Sequence, residues 1–274
     1  MKQRIGLVAG AGKFPLLLVT EAKKRGMTVM AVAIKEEADP ALEKLSDKLV
    51  WLSVGELDRI VNTFIEENVK EVFMAGKIRK TIMFTDIELD ERLRKLLKNL
   101  KNRNDEVLLK AFVSELTRHG INVRNSAEYL PDLMALPGVL NRIEPDAETM
   151  EDIRYGFRMA KKIADMDIGQ TVVVKKKAVL AVEAIEGTDK AILRGGELAR
   201  GGIVVVKVAK PDQDMRFDIP VVGMNTVEIL VKSQTRAIAL EAGKTLILDK
   251  SEFLERTRRH NISVLGMTSA EDTF

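Results

Sequence analysis

The chain has 274 residues, 46% of them hydrophobic, and its net charge of +3 is a small difference between 44 basic and 41 acidic residues. This length suffices for two domains of ordinary size, while the balanced charge and the 4% aromatic content argue against nucleic-acid binding. The chain has no cysteine and two histidines, which excludes disulfides and zinc–thiolate sites and argues against a Ser-His-Asp triad.

The apolar runs of the chain are short. FPLLLV and IVVVKV, for example, are well below the roughly 20 residues that a membrane-spanning helix requires. No positively charged start leads into a signal-like apolar core. We therefore expect a cytoplasmic protein.

The first half of the chain alternates strand-like and helical patterns. RIGLVAG, FPLLLVTEAKKRG and TVMAVAI predict a βαβ unit that opens a parallel sheet. KLVWLSV, a helix from about Glu56 to Asn68 and EVFMAGKI extend this pattern, and VLLKAFVSELTRHG and INVRNS add a helix and a strand. Asn104, Asp105 and Glu106 precede that last helix, where they predict either N-capping or a functional role. We assign residues 1–130 to a Rossmann-like domain that binds a nucleotide or a phosphate.

The second half predicts another α/β domain, with a mixed sheet, over residues 151–274. A proline-rich segment, YLPDLMALPGVLNRIEPDAE, precedes it and predicts a linker over residues 131–150. AETMEDIRYGFRMAKKIADMD predicts an amphipathic helix, and QTVVVKKKAVLAVEAIEG predicts a hairpin that turns at Lys175–Lys177. The remaining predicted elements are a helix near Asp189–Ala199, the strand GIVVVKVA, a helix from about Thr226, the strand KTLILD, a helix near Ser251–His260 and the strand ISVLG.

The segment AGAGKFP, between the first strand and the first helix, is a candidate phosphate loop. Gly10 and Gly12 would let the backbone approach an anion at the helix N-terminus, beside Lys13. The spacing does not match Walker A, and Pro15 stands where a dinucleotide fingerprint has its third glycine. Glu36 lies at a workable distance along the chain for a ribose contact, so an NAD-binding protein stays open, as does a plain β-to-α turn.

Lys77 is a second candidate in the first domain. The run AGKI ends a predicted parallel strand, and open α/β sheets bind ligands at the carboxyl ends of such strands. Lys77 could therefore contact a phosphate.

Two charged segments of the second domain lie between apolar strands. In EGTD, Gly187 turns the chain and Thr188 or Asp189 can cap the next helix, which leaves Glu186 unexplained. The other segment, KPDQDMRFDIP, mixes three aspartates with Lys210 and Arg216. Carboxylates hold Mg²⁺ or Mn²⁺ and cations neutralise phosphate oxygens, so the pattern predicts phosphate chemistry, with a solvated loop as the alternative.

Several motifs together resemble those of one enzyme family. GLVAGAGKFP, NDEVLLKAF, DIGQTVVVKKKAVLAVEAIEGTDKAILRGG, VKVAKPDQDMRFDIPVVGMNTV and the closing EAGKTLILD and ISVLGM are similar, in order and spacing, to LpxI-type UDP-2,3-diacylglucosamine hydrolases. The resemblance covers nearly the whole chain. It implies two α/β domains around a crevice and a divalent metal, Mg²⁺ or Mn²⁺. It also implies hydrolysis of the pyrophosphate of UDP-2,3-diacylglucosamine to UMP and lipid X in lipid A synthesis.

The patterns and the resemblance together define the predicted site. The family's essential aspartate falls on Asp214 or Asp218, of which we favour Asp218. The predicted catalytic residues are Asp218, Asp214, Arg216 and Lys210; the substrate-binding residues are Gly10, Gly12, Lys13, Lys77, Gly187, Thr188 and Gln213; the metal ligands are Asp214, Asp218, Glu186 and Asp189.

The resemblance also sets the expected partners. An acylated UDP-sugar substrate implies contact with the inner face of a membrane, and a homo-oligomer is a further expectation. The alternatives are a UDP-sugar or dinucleotide binding protein without hydrolysis, and a hydrolase of a different UDP-linked substrate.

Overall fold

The chain forms two compact units in the computed structural model, which describes residues 3–78, 88–98 and 105–268. Unit 1 comprises Met1–Leu130 together with Met215–Phe217, and unit 2 comprises Pro131–Asp214 and Asp218–Phe274. The predicted capping group around Asn104 lies outside the described residues, since Asn104 and the side chains of Asp105 and Glu106 are not among them.

Unit 1 is built on a five-stranded, fully parallel sheet in the order β3-β2-β1-β4-β5. Its elements are β1 (Arg4–Ala9), α1 (Phe14–Lys24), β2 (Thr28–Ile34), α2 (Leu42–Leu45), β3 (Lys48–Leu52), α3 (Leu57–Glu66), β4 (Glu71–Ala75), α4 (Glu91–Lys98), α5 (Asp105–Arg118) and β5 (Asn122–Arg124). The predicted parallel, Rossmann-like sheet is confirmed.

The apolar runs of unit 1 are continuous because its central strands are buried on both faces. In β2, every residue from Val29 to Ile34 is buried. Alternate side chains such as Val32 pack with Ile60 and Phe64 of α3 in one core cluster. Strands covered on both sides lack the polar alternation of half-exposed sheets, which is why β1 and β2 stand out in the sequence.

Unit 2 is built on a six-stranded mixed sheet in the order β6-β13-β11-β9-β7-β8. Its elements are β6 (Gly138–Val139), α6 (Ala147–Asp165), β7 (Thr171–Lys175), β8 (Ala178–Val182), α7 (Thr188–Ala199), β9 (Ile203–Lys207), β10 (Val221–Val222), α8 (Met224–Lys232), β11 (Thr235–Glu241), β12 (Leu246–Ile247), α9 (Lys250–Arg259) and β13 (Ser263–Met267). Strands β9, β11 and β13 are parallel, whereas β6, β7 and β8 pair antiparallel. The predicted mixed sheet is confirmed.

The hairpin of β7 and β8 forms as predicted. Lys176 and Lys177 occupy its turn with φ values of 51° and 56°. Asp152 of α6, which is 3% exposed, accepts hydrogen bonds from the backbone N–H groups of both lysines at 2.8 and 2.6 Å. A buried carboxylate thus holds a turn whose backbone is strained for non-glycine residues.

The central strand β11 is absent from the sequence prediction, which placed a helix and then the strand KTLILD in this region. The sheet instead receives TRAIALE, between β9 and β13, and only Leu246–Ile247 of KTLILD pair, with β10. Two alanines and an arginine break the β-branched pattern on which the prediction relied. Burial between two parallel strands makes this segment a strand despite its weak local preference.

Residues 131–150, which the sequence predicts as a linker, lie in unit 2. Pro131–Leu133 form a 3-10 turn, Gly138–Val139 pair with β13 as an edge strand, and Asp146 caps α6 by accepting from the Thr149 N–H at 2.7 Å. The prolines mark turns between these short elements.

Candidate functional site

Two loops of unit 1 meet where the strand order reverses, between β1 and β4. The Gly10 N–H donates to the Ala75 carbonyl at 2.8 Å, and Ala11 and Lys77 exchange two backbone hydrogen bonds of 2.8 and 3.0 Å. Ligands of open α/β sheets bind outside the carboxyl ends of the strands at such a reversal. The structure therefore brings the loop of Gly10 to Lys13 beside Lys77, two positions that the sequence singles out separately as candidate phosphate contacts.

Glycines make this close approach of two backbones feasible. A Cβ atom on Gly10 would lie 2.5 Å from the Lys77 carbonyl oxygen, and one on Gly76 would lie 2.7 Å from the Ala11 carbonyl oxygen. Gly12 has φ +96° with open space around it, so backbone conformation and not crowding favours glycine there.

The N-terminus of α1 follows directly on this loop. Lys13 occupies the N-cap position, and Pro15 lies in the first turn, where its missing N–H costs little. The first turn carries no acidic residue, and both Lys13 and Lys77 are exposed. Backbone N–H groups of a helix start and two lysines form a suitable environment for a phosphate.

A buried ion pair of unit 2 contacts the EGTD segment through Thr188. Glu183 follows β8 and Lys207 ends β9; their side chains are 14% and 8% exposed, with Nζ 3.8 Å from Oε2. The Thr188 hydroxyl bridges them, donating to Glu183 Oε1 at 2.8 Å and accepting from Lys207 Nζ at 2.9 Å. The ion pair therefore fixes the hydroxyl of Thr188, a predicted substrate-binding residue, at the first turn of α7.

The pKa of Glu183 reflects this environment. Burial alone would raise it, but the Lys207 ammonium and hydrogen bonds from Thr171 and Thr188 outweigh burial, and the pKa lies below its ordinary value. The carboxylate is therefore charged at neutral pH. Neither Glu183 nor Lys207 is among the sequence-predicted site residues; their signal is a charged residue at the end of each of two apolar strands.

Glu186, a predicted metal ligand, is engaged within its own loop. Its Oε1 accepts from Arg194 at 2.7 Å and its Oε2 accepts from the Ala184 N–H at 3.1 Å. A hydrogen bond from its own backbone N–H and then the Arg194 guanidinium lower the pKa of Glu186. Asp189 accepts from Asn225 Nδ2 at 2.5 Å.

The charged loop, Lys210 to Pro220, is ordered by its own side chains. Gln213 Oε1 accepts from the Lys210 N–H at 2.9 Å, and Gln213 Nε2 donates to both the backbone oxygen and the Oδ2 of Asp218. The Asp218 N–H donates to the Asp214 carbonyl at 3.1 Å. The loop therefore brings Gln213, Asp214 and Asp218 into one turn.

The other predicted cations of this loop also have defined places. Lys210 pairs through its Nζ with Asp167, at the end of α6. Arg216 lies in Met215–Phe217, a segment that belongs to unit 1, where Phe217 packs against the apolar core. The loop thus divides between the two units.

The described residues contain no group of three or more Asp, Glu or His side chains placed to hold a metal ion. Asp214 and Asp218 share a turn, but the structure does not bring Glu186 and Asp189 into one cluster with them. Glu186 does not join such a cluster because its bonds to Arg194 and to the backbone engage both of its carboxylate oxygens. Nor does any helix in the described ranges have the length and apolar content needed to cross a membrane.

Fold and site together define a two-unit α/β protein with a candidate phosphate loop in the first unit and a carboxylate-bearing loop in the second. Sequence comparison agrees with this class: residues 4–133 match the LpxI N-terminal domain and residues 136–265 match the LpxI C-terminal domain. The chain belongs to the LpxI family. It is 29% identical to the UDP-2,3-diacylglucosamine pyrophosphatase LpxI of Caulobacter vibrioides, over 98% of this chain and 99% of that protein.

Several solved structures are distantly similar to this chain. The biotin carboxylase domain of Hydrogenobacter thermophilus 2-oxoglutarate carboxylase is 14% identical with a TM-score of 0.28, covering 73% of this chain and 41% of that one. Biotin carboxylase from Campylobacter jejuni is 14% identical with a TM-score of 0.30, covering 73% and 42%. Scores this low carry no argument about fold or function.

Proposed function

We propose that this protein hydrolyses the pyrophosphate bond of UDP-2,3-diacylglucosamine to UMP and 2,3-diacylglucosamine 1-phosphate, as a step of lipid A biosynthesis. The observation that carries the proposal is the ordered Gln213–Asp218 turn in a chain of the LpxI family. The relative from Caulobacter vibrioides, matched over almost its whole length, is named for this substrate.

Asp218 is the proposed centre of the chemistry. Gln213 donates to its Oδ2, which fixes the orientation of the carboxylate without adding charge. A fixed carboxylate can accept a proton from an attacking water and orient it toward phosphorus. The leaving group is a phosphate ester that is stable as an anion, so no strong acid is required.

Cations neutralise the charge that develops on the phosphate oxygens. Lys210 precedes the Gln213–Asp218 turn and Arg216 lies within it. Stabilisation of equatorial phosphate oxygens is the main catalytic contribution in phosphoryl transfer. In unit 1, Lys13, Lys77 and the N-terminal N–H groups of α1 support binding of a phosphate or of the nucleotide. Gly187 and Thr188 support a further substrate contact at the start of α7.

A divalent cation fits the donors of the charged loop. Mg²⁺ is often bound by one or two protein carboxylates, waters and the substrate's own phosphates, and Asp214 and Asp218 occupy one turn. We propose these two residues as its ligands, for Mg²⁺ or Mn²⁺, and omit Glu186. When bound, the ion would act as a Lewis acid on the phosphate oxygens.

The test is UMP release from UDP-2,3-diacylglucosamine by the wild type and by Asp218→Asn, with Mg²⁺, Mn²⁺ or a chelator. Loss of a carboxylate that activates water should lower kcat by about 10²- to 10⁴-fold. Asp212→Asn is the matched control, because Asp212 is exposed in the same loop and should retain wild-type turnover. A folded Asp218→Asn variant with full activity would remove Asp218 from the reaction.

The same assay separates the alternatives. Tight UDP binding without UMP release by the wild type would favour a binding protein, and release from other UDP-linked substrates alone would favour a different substrate. An NAD-binding protein has less support, because Pro15 occupies a helical position where the fingerprint requires glycine.

We also propose that two loops of unit 2 touch a membrane surface. Met166, Ile168 and Ile185 are 59%, 46% and 88% exposed. Their loops are in backbone contact, since a Cβ atom on Gly169 would lie 2.0 Å from the Glu183 carbonyl oxygen. Exposed apolar side chains on adjacent loops are typical of interaction surfaces, and a diacylated substrate would reside in a membrane.

Cosedimentation with vesicles of phosphatidylcholine and phosphatidylglycerol tests this contact. Ile185→Asp should reduce the bound fraction several-fold, because it places a charge at the most exposed apolar position. Leu198→Asp, at the other end of α7, is the matched control, since Leu198 is 65% exposed. Equal binding by the two variants would contradict the proposed surface. Self-association stays a prediction.

A further inference from the structure

An ion pair between a half-buried lysine and a buried glutamate lies at the base of the charged loop of unit 2. The Nζ of Lys161, in α6, lies 3.1 and 3.0 Å from the two carboxylate oxygens of Glu241, the last residue of β11. The Lys161 side chain is 23% exposed and that of Glu241 is 4% exposed. Removing the Glu241 carboxylate from water is costly, and an ion pair of this kind is weak evidence for a gain in stability. A role other than stabilising the fold is therefore needed to explain the pair.

The pair holds both backbone groups of a single residue, Ala209. The Ala209 N–H donates to Glu241 Oε2 at 2.8 Å, and Lys161 Nζ donates to the Ala209 carbonyl at 2.9 Å. Ala209 is fully buried, two residues beyond the end of β9. A buried peptide group outside the sheet requires partners from side chains, and these two side chains supply them.

A continuous series of hydrogen bonds runs from Ala209 to Asp218. The next residue, Lys210, donates its N–H to Gln213 Oε1 at 2.9 Å and accepts from the Gln213 N–H at 3.2 Å. Gln213 Nε2 then donates to Asp218. All of these bonds span five residues or fewer. The bonds to Lys161 and Glu241, which span 48 and 32 residues, connect the series to the sheet and to α6.

We propose that Lys161 and Glu241 are positioning residues that fix the orientation of Asp218 through Ala209 and Gln213. The inference rests on the proposed function of Asp218. The two residues act on the loop backbone and take no part in bond making. A displacement of about 1 Å at a reacting group can cost on the order of 10²-fold in rate, so an anchor at the loop base has a measurable effect on kcat.

Two substitutions of Glu241 remove its contacts with Lys161 and Ala209 in part and in full. Glu241→Gln keeps the shape and an acceptor for the Ala209 N–H but loses the charge that holds Lys161. Glu241→Ala loses both. We expect kcat to fall about tenfold in Glu241→Gln and about 100-fold in Glu241→Ala, with KM changed less than about threefold because the loop is displaced and substrate contacts elsewhere remain. If Glu241→Ala does not fold, the isosteric Glu241→Gln carries the test.

A matched control separates positioning from stability. Asp152 is likewise a buried carboxylate, 3% exposed, and it accepts two backbone N–H groups, but it holds the turn of β7 and β8. Asp152→Asn should lower the thermal midpoint by an amount comparable to Glu241→Gln while kcat stays within about twofold of wild type.

Hydrogen–deuterium exchange supplies a readout that does not depend on turnover. Amides of residues 209–218 should exchange at least about tenfold faster in Glu241→Gln than in wild type or Asp152→Asn. Unchanged exchange in Glu241→Gln would overturn the inference, as would faster exchange with wild-type kcat, or equal kcat losses in Glu241→Gln and Asp152→Asn. Absence of UMP release by the wild type would instead refute the proposed function, while the exchange data would still report on the anchor.

Discussion

Removing the charge of Glu183 should destabilise unit 2 by about 3 kcal/mol. Glu183→Gln would remove the carboxylate that lies 3.8 Å from the ammonium of Lys207, whose side chain is 8% exposed. Breaking a buried pair by removing one charge costs about 3–5 kcal/mol. The lower end applies because the amide oxygen of Gln can still accept from the Thr188 hydroxyl, which now donates to Glu183 at 2.8 Å.

Urea denaturation followed by circular dichroism measures this cost, with exchange of the β9 amides assigning it to unit 2. The double variant Glu183→Leu with Lys207→Met is the control, because replacing both partners with apolar groups is often neutral or stabilising. It should be more stable than Glu183→Gln. A cost below about 1 kcal/mol for Glu183→Gln, or a double variant less stable than the single one, would refute the reasoning.

The loss of stability in Glu183→Gln should also depend on pH and become smaller in acid. The Lys207 ammonium and hydrogen bonds hold the pKa of Glu183 below its ordinary value of 4.5, although burial opposes them. The folded state therefore favours the charged carboxylate, so its contribution is complete above pH 4.5 and is lost as pH falls through the lower folded pKa. The stability difference between wild type and Glu183→Gln should accordingly shrink on acidification.

Two further predictions concern the candidate loops. Gly10→Ala should lower the free energy of unfolding by about 1–3 kcal/mol and weaken UDP binding, because its Cβ would lie 2.5 Å from the Lys77 carbonyl oxygen. The control is Gly26→Ala, since nothing lies within 4 Å of a Cβ atom there. This control should cost about 1 kcal/mol of stability and leave UDP affinity unchanged in calorimetric titration. Glu186→Gln should retain the metal requirement of UMP release, since Arg194 and a backbone N–H already engage Glu186; a shifted metal requirement would restore it as a ligand.

The sequence predicted the parts of the fold in which local pattern and burial agree. The runs around Val29–Ile34 and Ile203–Lys207 are apolar because they are covered on both faces, so continuous hydrophobicity identified them. Strand β11 was missed because its place between β9 and β13, and not its local composition, makes it extended. Tertiary burial decides the structure of such segments.

The sequence identifies the loops of the candidate site but not the side-chain contacts that order them. The glycines around Gly10 and the charges of KPDQDMRFDIP are visible in the sequence. The structure adds the close backbone approach at Gly10 and the bonds from Gln213 to Asp218. The pairing of Lys161 with Glu241 spans 80 residues, and no local pattern joins positions so far apart. A charged residue at the end of an apolar strand, such as Glu241 or Lys207, is the sequence signal that such a pair leaves.

The charged segments of unit 2 are rich in both signs because most of their charges hold the loops in place. Glu186 binds Arg194, Lys210 binds Asp167, and Glu183 pairs with Lys207. The amide of Gln213 donates to both the Oδ2 and the carbonyl of Asp218, so one side chain fixes the carboxylate and the backbone of that residue together. A carboxylate held in one orientation can direct an attacking water toward phosphorus. This fixed orientation, more than the number of acidic residues, is the physical ground for placing the chemistry at Asp218.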